Sequence, residues 1–233
     1  MQKYSVFSLI KNAFSNHQNW EVAWKDPTPK SEYDVVIIGG GGHGLATAYY
    51  LAKEHNIRNV AIIEKGWIGG GNVGRNTTII RSNFMYDANA RFNEFGMDLW
   101  RNLSQELNFN VMFSPRGIIN LAHSDAQMNA YARRGNSMRL NGIDAKLLDR
   151  DEVKKLIPMA DFSDEVRFPI FGGLMQPSAG TARHDAVAWG YARQADDMGV
   201  DIIQHCEVTG FDVVNGKIKG IRTSRGDIKA KKV

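Results

Sequence analysis

Apolar positions follow two rhythms along this chain. Short unbroken runs mark buried strands: Val35, Val36, Ile37 and Ile38 after Asp34, then Val60, Ala61, Ile62 and Ile63 between Asn59 and Glu64. Runs of that length bounded by turn residues predict strands buried on both faces. Between them, a glycine cluster at 39–44 leads into helical spacing that lasts to His55. The pattern therefore predicts strand, glycine loop, helix and strand over 34–64, a βαβ unit with a parallel sheet. Helical spacing returns at 88–107, 124–141 and 184–198, with the entry to the last helix spread over 181–185. Residues 111–121, 165–175 and 200–205 read as further strands. Residues 208–226 read as a hairpin about Asn215 and Gly216, a pair that supplies the positive φ angles of a tight turn. The chain stops at Ala230, Lys231, Lys232 and Val233, in what reads as the opening of another strand. The expectation is an amino-terminal fragment whose missing half completes the sheet and a substrate cavity.

Residues 1–14 alternate Tyr4, Val6, Phe7, Leu9, Ile10 and Phe14 with Ser5, Ser8, Lys11 and Asn12. This is an amphipathic arm without the apolar stretch and small-residue cleavage site of a signal peptide. Residues 26–33 form a polar, proline-containing linker. The 233 residues are 43% hydrophobic and 23% charged, the balance of a folded globular chain, and no apolar run reaches the roughly 18 residues of a membrane span. The default expectation is a cytoplasmic protein with no membrane contact. Cys206 is the single cysteine, which excludes an internal disulfide and fits a reducing compartment. The net charge is +4, with Lys217, Lys219, Arg222, Arg225, Lys229, Lys231 and Lys232 near the end and no aromatic after Phe211. Nucleic-acid binding wants basic and aromatic residues interleaved. This pattern reads instead as the solvated face of a hairpin.

Gly39, Gly41 and Gly44 make Gly-x-Gly-x-x-Gly between a strand and a helix, and Glu64 ends the next strand. The first glycine makes the turn, the second admits a pyrophosphate, and the third lets helix and strand pack closely. The helix N-terminus favours the negative charge, and the acidic residue accepts from ribose hydroxyls. The second strand then runs into Gly69, Gly70, Gly71, Asn72, Arg75, Asn76, Thr77, Thr78, Ile79, Ile80 and Arg81. A long Gly- and Asn-rich segment with two arginines suits FAD, whose ring system needs contacts beyond the nucleotide half, better than NAD. The predicted fold class is α/β with α+β elements. It comprises a Rossmann-like FAD-binding domain of glutathione-reductase type and a partial substrate or sheet domain. Residues 1–30 are the arm and linker, and 31–233 the FAD-dependent oxidoreductase domain. Within it, 31–85 carry the βαβ unit and flavin loop, 86–180 an inserted cap portion, and 181–233 the return.

Several stretches resemble the beta subunits of the heterotetrameric sarcosine oxidases, a branch of the FAD-dependent amine oxidases. They are Gly39 to Tyr50, Glu64-Lys65-Gly66-Trp67, Gly71-Asn72, Arg75 to Ser82, Arg116-Gly117, Asn120 to His123, Ala182 to Trp189 and Trp24 to Pro27. The resemblance implies non-covalent FAD that oxidises sarcosine to an imine. It also implies a second flavin, FMN, bound covalently at His184 on the boundary with an alpha subunit, which passes electrons to oxygen. Products would be glycine with formaldehyde or methylenetetrahydrofolate, and H2O2. Implied partners are alpha, gamma and delta subunits, with NAD and folate sites in alpha and zinc in delta. The lone cysteine and six scattered histidines make no closed metal site here.

By the same resemblance, Gly42, His43, Glu64, Asn72, Thr77 and Ile79 would contact FAD, with Gly39, Gly41, Gly44, Lys65, Arg75 and Asn76 in the same motifs and Val208 on the adenine side. Arg81 would pair the substrate carboxylate, for which a planar guanidinium is suited. A structural ion pair is the alternative for Arg81, a packed structural histidine for His184, and a plain helix-start residue for His43. A histidyl–flavin bond needs a neutral imidazole nitrogen as nucleophile. The Arg183 charge can meet the FMN phosphate or flavin; the alternative is that Asp185 orients the ring instead. Thr78 departs from the monomeric relatives, which tend to carry arginine there. Two other readings stand beside the oxidase: a dehydrogenase of another N-methylated or secondary amino acid, and a catalytically incomplete FAD-binding fragment.

Overall fold

The computed structural model describes residues 5–233; the first four residues of the arm lie outside the described residues. In chain order the elements are α1 (Val6–Ala13), β1 (Glu32–Ile38), α2 (Gly42–His55), β2 (Val60–Ile63), a 3-10 turn (Asn72–Arg75), β3 (Ile79–Ile80), α3 (Asp87–Glu106), β4 (Ile118–Ala122) and α4 (Asp125–Leu140). There follow β5 (Lys146–Asp149), α5 (Arg150–Leu156), β6 (Gly172–Gln176), β7 (Gly180–Thr181), α6 (His184–Asp197), β8 (Asp201–Ile203), β9 (Val208–Val214), β10 (Lys217–Thr223) and β11 (Gly226–Lys232). They form two compact units. One comprises the chain up to Gly70 with Tyr191–Val233, the other Gly71–Gly190.

The first unit is built on a six-stranded sheet in the order β8-β2-β1-β11-β10-β9. Val35 to Ile38 pair in parallel with Val60 to Ile63, and β8 extends the parallel set beyond β2. All four residues of β2 are buried, as an unbroken apolar run requires of an interior strand. α2 buries Leu45, Ala48, Tyr49 and Ala52, one face of a helix. The sheet's core gathers Tyr33, Val36, Ala61, Ile63, Ile203, Cys206, Ile221, Ile228 and Ala230.

At the other edge, Asn215 and Gly216 both have positive φ and close the β9–β10 hairpin. The end of the chain is the body of β11, which pairs antiparallel with β10 and parallel with β1. Ile228 and Ala230 point inward while Lys229, Lys231 and Lys232 are exposed, so the basic residues sit on a solvated face. The 26–33 linker is pinned at several points. The Oδ1 of Asp26 accepts from Gln204 N (3.1 Å) and Arg225 Nη1 (3.2 Å), Lys25 N donates to Asp196 (2.9 Å), and Tyr33 Oη donates to Asp201 (2.9 Å).

The second unit contains an antiparallel sheet in the order β4-β6-β5 and the short pair β3-β7. Leu174 packs with Ala90, Met138, Ile143 and Ala145, and Leu148, Val153 and Ile170 form a further cluster. Two expectations are corrected here. Only Ile118–Ala122 of the 111–121 stretch is a ladder strand. Before it, Met112 takes φ +55° and Pro115 has no N–H to give; one isolated bridge, Ser114 to Thr181, remains. Of 165–175 only the last residues pair, because β6 begins after Pro169. α6 starts at His184, as the 184–198 spacing predicts, which places that histidine at the first helical position.

Candidate flavin and substrate residues

In the first unit the glycine loop turns at Gly39, whose φ is +107°. Gly39 N donates to Ile63 O at 2.8 Å, which ties the loop to the end of β2. A Cβ on Gly44 would stand 2.1 Å from Gly39 O, so glycine is required where α2 crosses the strand end. The N-cap of α2 is Gly41, with no side-chain cap hydrogen bond. The first-turn N–H groups of a helix lack intrahelical partners, and among the described residues no capping side chain takes one here. Beside Gly39 a Cβ would meet nothing within 4 Å. A bare helix start next to open space is the setting that a pyrophosphate fills, so these residues fit FAD. Gly41, Gly42, His43 and Gly44 all lie at this helix start, with His43 exposed.

Glu64 stands at the same point and does something its place in the motif does not announce. Its Oε2 accepts from Gly40 N and its Oε1 from Gly66 N, both at 2.8 Å. One carboxylate thus braces the glycine loop and the loop after β2. Its backbone is also engaged: Glu64 N donates to Ile203 O and Glu64 O accepts from Cys206 N, each at 2.9 Å. Each carboxylate oxygen keeps a further lone pair for a ribose hydroxyl. Lys65 is exposed beside it. Val208 opens β9 and packs against the core cluster.

The second unit carries the other named residues. Asn72 and Arg75 bound the exposed 3-10 turn. Asn76 spends its side chain locally: Nδ2 donates to Val73 O (2.6 Å) and Oδ1 accepts from Thr78 N (2.7 Å). Thr77 is exposed. Thr78 sits at φ +61°, a left-handed conformation that a β-branched residue rarely adopts, and its carbonyl accepts from Ala182 N at 3.1 Å. Ile79 is exposed and pairs with Thr181 in the β3–β7 ladder. Arg81 follows β3. Its guanidinium lies 5.0 Å from the Phe84 ring centroid, and its Nη1 donates to Asn83 Oδ1. No ion pair engages Arg81 among the described residues, so the structural salt-bridge alternative has no partner within them.

His184 is half-buried, and its buried Nδ1 has no hydrogen-bond partner among the described residues. A buried ring nitrogen with no partner is costly unless something bound satisfies it, so the residue fits a covalently held ligand. Its neighbours pair with each other. Arg183 is forked onto Asp185 through Nε (3.1 Å) and Nη2 (2.7 Å), and Asp185 Oδ1 also accepts from Ala186 N (2.9 Å). Among the described residues Asp185 makes no hydrogen bond to the His184 ring, while the paired Arg183 guanidinium stays largely exposed. The Arg183 guanidinium holds the Asp185 carboxyl down to about 2.

Residues 34–233 match the model of the FAD dependent oxidoreductase family. The chain belongs to that family. Within it, the chain is 61% identical over 226 residues to the sarcosine oxidase subunit beta of Rhizobium meliloti, covering 97% of this chain and 54% of that protein. It is 52% identical over 228 residues to the Rhodobacter capsulatus sarcosine oxidase subunit beta, covering 98% and 55%. The chain thus spans about half the length of these relatives. Among solved structures it is similar to L-proline dehydrogenase from P. horikoshii, with TM-score 0.79, 29% identity, and 88% and 53% of the two chains covered. The FAD-binding α/β fold expected from the glycine motif is the fold of this family. Among the described residues, no helix is long and apolar enough to cross a membrane.

Proposed function

We propose that this chain is the FAD-holding part of a sarcosine-oxidising flavoenzyme. The observation that carries the reading is the 61% identity to a sarcosine oxidase subunit beta across 97% of the chain. The bare helix start behind the Gly39–Gly44 loop and the Glu64 brace support the cofactor half of it. The start of α2 holds the pyrophosphate and Glu64 the ribose. Lys65 and Val208 lie on the nucleotide side, and Asn72, Arg75, Asn76, Thr77 and Ile79 on the flavin side. Arg81 holds the substrate carboxylate and so orients the amine. FAD, when bound, supplies the two-electron oxidant.

The overall reaction converts sarcosine, oxygen and water to glycine, formaldehyde and H2O2, with methylenetetrahydrofolate replacing formaldehyde when folate is present. His184 carries covalent FMN, the exit for electrons, at a boundary with an alpha subunit; gamma and delta subunits complete the assembly. The test is anaerobic titration of the complete protein with sarcosine while the flavin absorbance is followed, then oxygen uptake. Bleaching by sarcosine with stoichiometric H2O2 is the expected result, and a flavin that sarcosine leaves oxidised overturns the reading. The likeness to L-proline dehydrogenase favours a second reading, a dehydrogenase of a secondary amino acid. Bleaching by sarcosine or proline with turnover only when an artificial electron acceptor replaces oxygen selects it.

A further inference from the structure

The segment after β3 is held far more firmly than an exposed loop needs. Ser82 and Asn83 are 0% and 1% exposed. Ser82 N donates to Gln176 Oε1 (3.1 Å), Gln176 Nε2 donates to Ser82 Oγ (2.7 Å), and Ser82 Oγ donates to Glu94 Oε2 (2.6 Å). Arg134, from α4, grips the Asn83 carbonyl with Nε at 3.1 Å and Nη2 at 2.5 Å. The Asn83 side chain bridges two elements. Its Oδ1 accepts from Arg81 Nη1, and its Nδ2 donates to Asn120 Oδ1 on β4 at 3.0 Å. The amide has only one workable orientation: flipping it would set donors against the guanidinium and oxygen against oxygen.

This arrangement has a direction. Nη1 of Arg81 is tied back and Phe84 covers one face of the guanidinium, which leaves the Nε–Nη2 edge as a free two-donor fork. Arg134 is held below its usual range by burial first and by the charge of Arg81 second. Two guanidinium groups therefore share this region, and no ion pair engages either among the described residues. Uncompensated cations of that kind call for an anion.

We propose that Asn83 is a positioning residue for Arg81, its side-chain oxygen turning the guanidinium so that the Nε–Nη2 edge meets a substrate carboxylate, with Arg134 holding Asn83 in register. The inference rests on the reading of Arg81 as the carboxylate ligand. In the complete flavin-loaded protein, Asn83→Ala, Arg81→Met and the double variant are compared by sarcosine KM and kcat and by the Kd of acetate, read from the flavin spectrum. Asn83→Ala is expected to raise KM and the acetate Kd by ~10-fold, the worth of one charge-assisted hydrogen bond, with kcat moving less than about threefold. In the Arg81→Met background the same change should add nothing, because a residue acting only through Arg81 has nothing left to aim. If Arg81→Met raises KM while Asn83→Ala leaves it alone, or if the two effects add, the positioning role is overturned and Arg81 stands. If Arg81→Met itself leaves KM and acetate binding unmoved, Arg81 is not the carboxylate ligand and the inference falls with it. Should Asn83→Ala fail to load flavin, Asn120→Leu frees the amide to flip and is judged by the same outcomes.

Discussion

Glu64 Oε2 accepts a hydrogen bond from Gly40 N at 2.8 Å, so the acidic residue at the end of β2 reaches back to the glycine loop at the end of β1. With Oε1 on Gly66 N, it braces both loops, and in the proposed reading its remaining lone pairs meet a ribose. Glu64→Gln should therefore weaken the flavin-free protein, since its amide nitrogen faces one of two N–H donors. The loss expected is about 1–3 kcal/mol, read from urea unfolding without FAD, together with weaker FAD binding. A flavin-free protein of unchanged stability would show that Glu64 has no bracing role.

Gly44→Ala tests the crossing of helix and strand. The added carbon would stand 2.1 Å from a backbone carbonyl, which cannot swing aside as a flexible side chain could. We expect a loss of about 1–3 kcal/mol from overpacking and a protein that purifies without FAD. Gly96→Ala is the control. It lies inside α3 with nothing within 4 Å of the new carbon, and should gain roughly 0.5–1 kcal/mol from helix propensity. A yellow, fully loaded Gly44→Ala protein would remove the close-packing role from this glycine.

What could be read from the sequence followed signal strength. The β1–α2–β2 unit announced itself through two apolar runs and a glycine spacing, and the hairpin through Asn215 and Gly216. The β5–α5 pair went unread although Asp149 and Glu152 form a capping box, a local signal that was present. β3 and β7 have two residues each, too few for any period to register. Thr78 and Met112 take positive φ without a residue type that predicts it. The Asn83–Asn120 contact joins residues 37 apart in sequence and exists only once β4 is in place. The Arg183–Asp185 pair went unread for a related reason: adjacent charges can pair with each other, and only geometry shows that they do.

Tyr33 links the start of β1 to the linker before it and to β8. Its hydroxyl accepts from Lys30 N (3.0 Å) and donates to Asp201 Oδ2 (2.9 Å). Burial first, then Asp201 against the opposing hydrogen bond from Lys30, pushes the phenol from 10.0 up to about 12. A raised folded pKa means that the neutral tyrosine stabilises the fold fully below pH 10, and that this contribution drains away as pH rises from 10 towards about 12. Tyr33→Phe should lower stability near neutrality by about 1–3 kcal/mol, and the gap to wild type should shrink over that alkaline window. A gap that stays constant through pH 12 would show that Tyr33 titrates like a free tyrosine.

The last prediction concerns His184 and the reading that it carries covalent FMN. The motivation is a half-buried imidazole at the first position of α6 whose Nδ1 is buried without a partner, while Arg183 and Asp185 on either side are committed to each other. A structural histidine in such a place would normally find a hydrogen-bond partner, and this nitrogen finds none among the described residues. In the assembled complex, acid precipitation followed by mass spectrometry should find the mass of FMN on the peptide containing His184, and none on the same peptide from His184→Ala. The variant should keep its FAD, because none of the residues proposed to hold FAD is changed, and its oxygen turnover should fall by at least the tenfold that a lost electron exit implies, about 1.4 kcal/mol on the barrier. Arg183→Ala separates the two functions of the turn. It unpairs Asp185, so the Asp185 carboxyl should return from about 2 towards 3.8, and the acid limb of the stability curve should shift upward in pH, since a depressed carboxylate contributes stability that is lost only as pH falls towards its folded value. Covalent flavin on another residue, or full oxygen turnover in His184→Ala, would remove His184 from the electron path.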